Sequence, residues 1–182
     1  SCAGLPLVED RKNPKKTTTY GVGEVILAAA KAGSKRIITG LGGSCTNDGG
    51  CGMAAALGIR FYDAQDREFV PTGGTLKEIR RIDMSRREKL LDQIELLAMC
   101  DITNPLTGPE GAAHVFSPQK GADEGMIQEL EAGMVHYASI LEQTVQIPKI
   151  RELPGGGAAG GMGIGMAALL GLSLAMTLGV SF

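Results

Sequence analysis

The stretch LGGSCTNDGG, residues 41–50, is the most informative part of this chain for its fold. The preceding run RIITGL, residues 36–41, is apolar and β-branched, which is typical of a buried strand. The small and apolar residues 52–57 that follow predict the start of a helix. The stretch is therefore predicted to be a glycine-rich loop between a strand and a helix. The free N–H groups of the helix start would face the loop, where they favour phosphate or carboxylate.

The polar groups of this first loop are candidates for ligand binding. Its glycines let the backbone approach a ligand closely or adopt a positive φ. Residues expected to cradle substrate or phosphate are Gly42, Gly43, Ser44, Thr46 and Asn47. Asp48 is the only charged residue among them and is a candidate catalytic group and Mg²⁺ ligand. The alternative is a tight strand-to-helix turn in which Asn47 or Asp48 caps the helix.

A second loop, CDITNPLTGPEGAAHVFSPQKGAD at residues 100–123, follows the strand-like run IELLAM. Asp101 comes directly after that run, and ligands in open α/β sheets bind outside the carboxyl ends of strands. We expect Asp101 to hold Mg²⁺ or to accept a hydroxyl proton, and Lys120 to pair with phosphate. Asn104 and Gln119 are further candidates for binding. The alternative is that Asp101 caps a turn and Lys120 is solvated.

A third glycine cluster, LPGGGAAGGMGIGM at residues 153–166, contains the spacing G-x-G-x-x-G. Dinucleotide binding also requires a preceding buried strand and a later acidic residue. The preceding QIPKIRE is polar and is interrupted by Pro148, and no Asp or Glu follows Glu152. Dinucleotide binding is therefore rejected. Gly156 and Gly157 are expected to approach another ligand, or alternatively another segment of backbone.

The motifs TTTYGVGEVI, GLGGSCTNDGGCGM, CDITNPLTGPEGAAHVFSPQKGAD and LPGGGAAGGMG occur in this order. Together they resemble the class of glycerate kinases that lacks a Walker A loop, and the similarity runs over residues 4–171. The resemblance implies transfer of the γ-phosphoryl group of ATP to D-glycerate with Mg²⁺, giving a phosphoglycerate. It also implies a fold of two α/β domains, one flavodoxin-like and one inserted into it.

The resemblance predicts that residues 1–182 are a single α/β domain, mostly the inserted domain, with a mixed sheet flanked by helices. Family members also carry an APDSFKES-like and a TGEGR-like segment that help to form the cleft, and neither occurs in these residues. We therefore expect this chain alone to be inactive. The glycine-rich, uncharged residues 153–182 are expected to pack on parts outside the chain, with a buried helix over residues 167–178.

The composition argues against several classes of partner. A net charge of −2 and 4% aromatic residues offer neither a basic face nor stacking platforms for nucleic acid. Four cysteines without a C-x-x-C pair argue against zinc and fit reduced thiols in a cytoplasmic protein. The glycines of residues 155–165 argue against a membrane span. Self-association into a homo-oligomer is left open by the uncharged C-terminal segment.

The spacing of apolar residues predicts the remaining helices and strands. Helices are expected over residues 20–32 and 123–144, and a strand over residues 59–62. The charge run RRIDMSRREK, residues 80–89, predicts a solvated surface helix or loop. The residues of the long helix that form an apolar stripe at helical spacing, and are therefore predicted to lie in the core, are Ile127, Leu130, Met134, Tyr137 and Leu141.

The sequence therefore favours phosphoryl transfer to a small hydroxy acid. Glycine-lined loops, a metal-binding carboxylate and a lysine suffice for such a reaction without a covalent nucleophile. Two other hypotheses stay open, a non-catalytic nucleotide- or acid-binding module and a kinase for another small hydroxy acid. The residues alone do not assign one loop to ATP and the other to glycerate.

Overall fold

A computed structural model describes residues 2–171 and 174–176 of the chain. Its α-helices are α1 (Tyr20–Lys31), α2 (Cys51–Ala56), α3 (Ala112–Phe116), α4 (Glu124–Val145) and α5 (Ala158–Leu170). Its strands are β1 (Arg36–Gly40), β2 (Arg60–Tyr62), β3 (Glu68–Phe69), β4 (Arg81–Asp83), β5 (Glu95–Cys100) and β6 (Leu174–Met176). Short 3₁₀ turns lie at Leu5–Leu7, Glu9–Arg11, Leu76–Glu78, Lys89–Gln93, Pro118–Lys120 and Ile150–Glu152.

The strands form two separate sheets. The first has the order β1-β5-β6 and is parallel, with Arg36 opposite Glu95 and Gly40 opposite Met99. The second has the order β3-β2-β4 and is antiparallel. Parallel strands have their carboxyl ends at the same edge of a sheet, so the loops after β1 and β5 emerge side by side.

The core lies between the helices and both sheets. All five residues of the apolar stripe predicted on α4 are buried, which confirms that prediction. Helix α1 packs closely on α2, because a Cβ atom added to Gly23 would lie only 2.3 Å from the carbonyl oxygen of Met53. Helix α4 begins at an N-cap, Asp123, whose side chain accepts a 2.8 Å hydrogen bond from the Met126 N–H.

The predicted α/β class is confirmed, and the helices and strands predicted around residues 20–32, 36–41, 59–62, 94–99 and 123–144 are present within one or two residues. Parallel and antiparallel pairing both occur, but in two sheets where the sequence predicted one mixed sheet. None of the described helices is long and apolar enough to cross a membrane.

The charge run at residues 80–89 was predicted as a surface helix or loop, and this is wrong for part of it. Arg81–Asp83 forms β4, with Ile82 buried and its two charged neighbours less so. The Arg81 guanidinium lies 3.8 Å from the centre of the Tyr62 ring and pairs with Asp66 at 2.5 Å. Pairing with β2 and these side-chain contacts therefore stabilise a strand that propensity alone does not predict.

The helix predicted over residues 167–178 also differs from the structure. Helix α5 ends at Leu170, where Gly171 adopts a left-handed φ of +75°. Leu174–Met176 instead forms β6, which pairs with β5 at the edge of the parallel sheet. Glycine at the end of a helix commonly stops it in this way. Residues 172–173 and 177–178 of the predicted helix lie outside the described residues.

Candidate functional site

The two loops predicted to bind ligand meet in one cavity of about 200 Å³, here called the loop cavity. Its lining residues are Leu41, Gly42, Gly43, Ser44, Asp101, Ile102, Phe116, Gln119, Lys120 and Ala159. The first four come directly after β1, and the next two directly after β5. The parallel pairing of these strands brings together four of the residues predicted from sequence, and the turn Pro118–Lys120 adds Gln119 and Lys120.

Lys120 is the cation of the loop cavity. It lies in the turn Pro118–Lys120, which Gly121 ends in a left-handed conformation, and only 2% of the lysine is exposed. Its Nζ donates hydrogen bonds to Ser44 Oγ at 3.0 Å and to the Thr46 carbonyl oxygen at 2.6 Å. Burial lowers the pKa of Lys120 from 10.5 to about 8, although the nearby Asp48 charge opposes this. The alternative of a solvated lysine is excluded.

Asp48 occupies a different position, between the starts of α1 and α2. It is fully buried, and its Oδ2 accepts hydrogen bonds from the Thr19 N–H at 2.7 Å, the Thr19 hydroxyl at 2.8 Å and the Gly52 N–H at 3.3 Å. Its Oδ1 accepts from the Gly50 N–H at 3.2 Å. Burial raises the pKa of Asp48, and these hydrogen bonds oppose that rise. This geometry favours the alternative in which Asp48 caps the helix, although the N-cap residue of α2 is Gly50 and Asp48 accepts from the Gly50 and Gly52 N–H groups from two residues earlier in the chain.

Thr46 and Asn47 are buried polar residues with unused hydrogen-bonding groups. Within the described part of the chain, Thr46 Oγ1 and both polar atoms of the Asn47 amide have no hydrogen-bond partner. Thr46 lines a second, largely apolar cavity of about 260 Å³ between α1 and β1. That cavity shares Gly42, Ser44 and Ala159 with the loop cavity. Buried polar atoms without partners in the protein are where an ordered water or a ligand is expected.

Gly156, Gly157 and Asn104 lie outside the loop cavity, and Gly157 contacts Asn104. The Gly157 N–H donates to the Asn104 carbonyl oxygen at 3.0 Å, and a Cβ atom added to Gly157 would lie 2.2 Å from the Pro105 carbonyl oxygen. The Asn104 amide nitrogen donates to the Glu110 carbonyl oxygen at 2.8 Å. These contacts support the alternative left open by the sequence, in which the glycines allow close packing of two segments of backbone.

A left-handed turn at residues 159–161 was missed by the sequence analysis. Ala159 has a φ of +51°, which is unfavourable for a residue with a side chain, and it lines both cavities. The Gly160 carbonyl oxygen accepts a 3.0 Å hydrogen bond from the Gly49 N–H. A Cβ atom added to Gly160 would lie 1.9 Å from the Thr46 carbonyl oxygen. The run AAGG is the signal that could have indicated this turn.

The two carboxylates predicted as Mg²⁺ ligands do not share a site. Asp101 is exposed and lines the loop cavity, whereas Asp48 is buried and does not line it. The oxygens of Asp48 already accept four hydrogen bonds of 3.3 Å or less. No group of three or more His, Cys, Asp or Glu side chains suited to a metal ion occurs in residues 2–171 and 174–176.

The family model described as "Glycerate kinase family" matches residues 1–180. This chain belongs to the glycerate kinase family. It is 49% identical over 175 residues to a glycerate kinase of Bacillus cereus and 43% identical over 175 residues to a glycerate 2-kinase of Escherichia coli. Each alignment covers 96% of this chain and 46% of the relative, so the chain spans about half the length of these glycerate kinases.

A solved structure from Salmonella typhimurium, provisionally assigned as glycerate kinase 2, contains the fold of this chain. The TM-score is 0.91 at 44% sequence identity, and the match covers 95% of this chain and 46% of the other. The resemblance noted from the motifs is therefore confirmed over nearly all of the chain, and the fold around the loop cavity is one that a glycerate kinase relative shares.

Proposed function

We propose that this chain supplies part of the active-site cleft of an enzyme that transfers the γ-phosphoryl group of ATP to D-glycerate. The observation that carries the proposal is the loop cavity, where a buried ammonium, exposed glycine backbone and a carboxylate come together. The names of the relatives support the reaction. The inserted-domain arrangement and a cytoplasmic location belong to the same proposal.

The proposed chemistry depends on positioning and on charge. Phosphoryl transfer proceeds through a transition state with little covalent involvement of the protein, so aligned groups and neutralised charge provide most of the catalysis. Lys120 supplies the positive charge of the loop cavity. Gly42 and Gly43 are exposed, and a Cβ atom added to either would meet nothing within 4 Å, so a ligand has room to approach their backbone.

Mg²⁺ fits this cavity through one carboxylate. Mg²⁺ commonly keeps several waters and binds through one or two carboxylates together with the substrate phosphates. Of the described residues that line the loop cavity, Asp101 is the only one with a carboxylate. We propose that Asp101 holds Mg²⁺ or accepts the hydroxyl proton of the substrate, and that the ion neutralises phosphate charge when bound. Asp48 contributes indirectly, by holding the shape of the first loop.

The test is a coupled assay of ATP consumption on the protein that carries this chain, with Mg²⁺ and a panel of acceptors. D-glycerate, L-glycerate, glycolate, lactate and glycerol are each supplied at the same concentration. We expect D-glycerate to be the preferred acceptor. A preference for another acid would favour a kinase for that acid, and no turnover with any acceptor would favour a non-catalytic binding module.

The role of Asp101 is tested in the same assay. Asp101→Asn is expected to lower kcat/KM for D-glycerate by about 100-fold or more, since it removes a proton acceptor or a metal ligand. Asp10→Asn is the matched control, because Asp10 is exposed and lies outside both cavities. An Asp101→Asn variant with full activity would remove Asp101 from the proposal. The isolated 182-residue chain is a further arm, for which we expect no turnover.

A further inference from the structure

The loop cavity contains a buried positive charge that forms no salt bridge, although the Asp48 carboxylate acts on it from a longer distance. Lys120 Nζ contacts two neutral oxygens, the Ser44 hydroxyl and the Thr46 carbonyl. Among the described residues, no Asp or Glu oxygen lies within 4.0 Å of this ammonium. An ammonium has three donors, so one remains after these two hydrogen bonds. A buried cation with a spare donor is a site suited to an anion.

The size of the cavity restricts which anion it can hold. Sites for drug-sized ligands occupy roughly 300–1,000 Å³. The part of the loop cavity that this chain forms is smaller, at about 200 Å³, and has room for a three-carbon acid. Of the two substrates of the proposed reaction, the hydroxy acid is therefore the one that this part of the cavity can hold whole.

The two charged residues that line the loop cavity are buried to different extents, and this difference sets the orientation of a bound hydroxy acid. Lys120 is 2% exposed, whereas Asp101 is exposed. A hydroxy acid that enters with its carboxylate towards Lys120 places its hydroxyl groups near Asp101. The reverse orientation would leave the buried Lys120 ammonium without an anion and would place the carboxylate of the acid beside the Asp101 carboxylate. The hydroxyl end is then the end that an incoming phosphoryl donor meets.

The backbone supports the same arrangement. The N–H groups of Gly42 and Gly43 donate no hydrogen bond within the described part of the chain. Gly43 has a φ of +59°, and both glycines are exposed where they line the cavity. Free N–H groups beside a buried cation are further donors for a carboxylate.

From these observations, and resting on the proposed function, we infer that the loop cavity is the acceptor subsite. The carboxylate of the hydroxy acid pairs with Lys120, and the hydroxyl that becomes phosphorylated lies on the side of Asp101. Lys120 is then the residue that selects acids over neutral polyols, and it does not serve as the cation for the phosphates of ATP.

The experiment is isothermal titration calorimetry in phosphate-free buffer, on the protein that carries this chain. D-glycerate and a non-hydrolysable ATP analogue with Mg²⁺ are titrated separately into wild type, Lys120→Met and Lys35→Met. Lys35 is exposed and lies outside both cavities, so its variant removes the same charge from the surface.

Lys120→Met should weaken D-glycerate binding by about tenfold or more, because it removes a charged hydrogen bond to the ligand. Its affinity for the ATP analogue should stay within about twofold of wild type. Lys35→Met should change neither affinity. Weaker binding of the analogue with unchanged binding of D-glycerate would overturn the inference and assign Lys120 to phosphate.

A second measurement uses the wild type alone and does not depend on the folding of a variant. Glycerol and methyl D-glycerate, which lack the negative charge, should bind at least about tenfold more weakly than D-glycerate. Equal affinities, or no binding of D-glycerate at all, would overturn the inference. If acids bind through Lys120 but none is phosphorylated, the proposed function fails while the acid subsite stands.

Discussion

Asp48 and Lys120 are two buried residues of opposite charge, one in the first loop and the other in contact with it. The Asp48 carboxylate accepts four hydrogen bonds of 3.3 Å or less from residues at the starts of two helices. The Lys120 ammonium donates two and lines a cavity. A charge whose hydrogen bonds are all made inside the protein stabilises the fold, whereas a charge with a spare donor is available to a ligand.

The same short stretch of chain links both residues. Thr46 provides the carbonyl oxygen that Lys120 contacts, and it is two residues before Asp48. If Asp48 fixes this loop by joining it to α1 and α2, it also fixes the position of the Lys120 contact. The comparison therefore predicts that substitutions at Asp48 act mainly on stability, and that substitutions at Lys120 act mainly on binding.

The largest expected effect is that of Asp48→Ala. This change leaves the N–H groups of Thr19, Gly50 and Gly52 without their acceptor in a buried position. We expect the free energy of unfolding to fall by about 3–5 kcal/mol, which is typical when a buried charged network loses one partner. Urea denaturation followed by circular dichroism measures this change.

Two further variants are needed to interpret the result for Asp48→Ala. Asp10→Ala, at an exposed position, should change stability by no more than about 0.5 kcal/mol. Asp48→Asn tests the catalytic role that the sequence suggested. If this variant keeps its melting temperature but loses turnover, Asp48 acts in the chemistry and the distinction between the two charges fails.

Much of the fold could be predicted because apolar periodicity reports burial directly. The stripe on α4 is an example, since hydrophobic spacing on a helix follows from local sequence. The run RIITGL forms the predicted strand β1, but the prediction that this strand is buried is wrong, because residues 36–40 are exposed or half-buried and Ile38 is 54% exposed. The meeting of the two loops also follows, because each comes after a strand that could pair in parallel. The strand β4 was not predictable in this way, since its stability depends on contacts of Arg81 with Tyr62 and Asp66.

The separate roles of the two charged residues could not be predicted from the sequence. Composition identifies Asp48 as the charge of its loop, but not the threonine and glycine N–H groups that fold around it. Lys120 in a polar stretch is more often solvated, and its burial depends on contact with a loop 74 residues away. The left-handed conformation of Ala159 is also a tertiary effect, because it requires the packing of this turn against the first loop.

Gly160→Ala is expected to have the second largest effect. The new Cβ atom would lie 1.9 Å from the Thr46 carbonyl oxygen, at a φ of +68°. We expect the free energy of unfolding to fall by about 2–4 kcal/mol, because overpacking adds to the strain of a left-handed residue that has a side chain. Displacement of the Thr46 carbonyl should also weaken D-glycerate binding through Lys120. Urea denaturation and calorimetry measure the two effects.

Gly33→Ala separates the two causes of this loss. Gly33 has a φ of +88°, but a Cβ atom added there would meet nothing within 4 Å. Gly33→Ala should therefore lower the free energy of unfolding only through backbone strain, by about 1–2 kcal/mol, and should leave D-glycerate binding unchanged. If both variants lower the free energy of unfolding equally, the close contact with Thr46 does not contribute to stability. The turn would then not position the Thr46 carbonyl that Lys120 contacts.

The smallest expected effect is a dependence of stability on pH that comes from Lys120. Its pKa is about 8 in the folded protein and 10.5 in an unperturbed lysine, so between these values the unfolded state binds more protons. The free energy of unfolding should therefore rise with pH across this window, by about 1 kcal/mol per pH unit.

Other groups titrate in the same range, so the measured quantity is the difference in free energy of unfolding between wild type and Lys120→Met, from urea denaturation at each pH. That difference should favour Lys120→Met most below pH 8, where the buried lysine is charged, and should shrink as the pH approaches 10. A difference that does not change with pH would mean that water or a bound anion stabilises the Lys120 ammonium and keeps its pKa at the ordinary value. The charge of Lys120 would then be as fully compensated as that of Asp48.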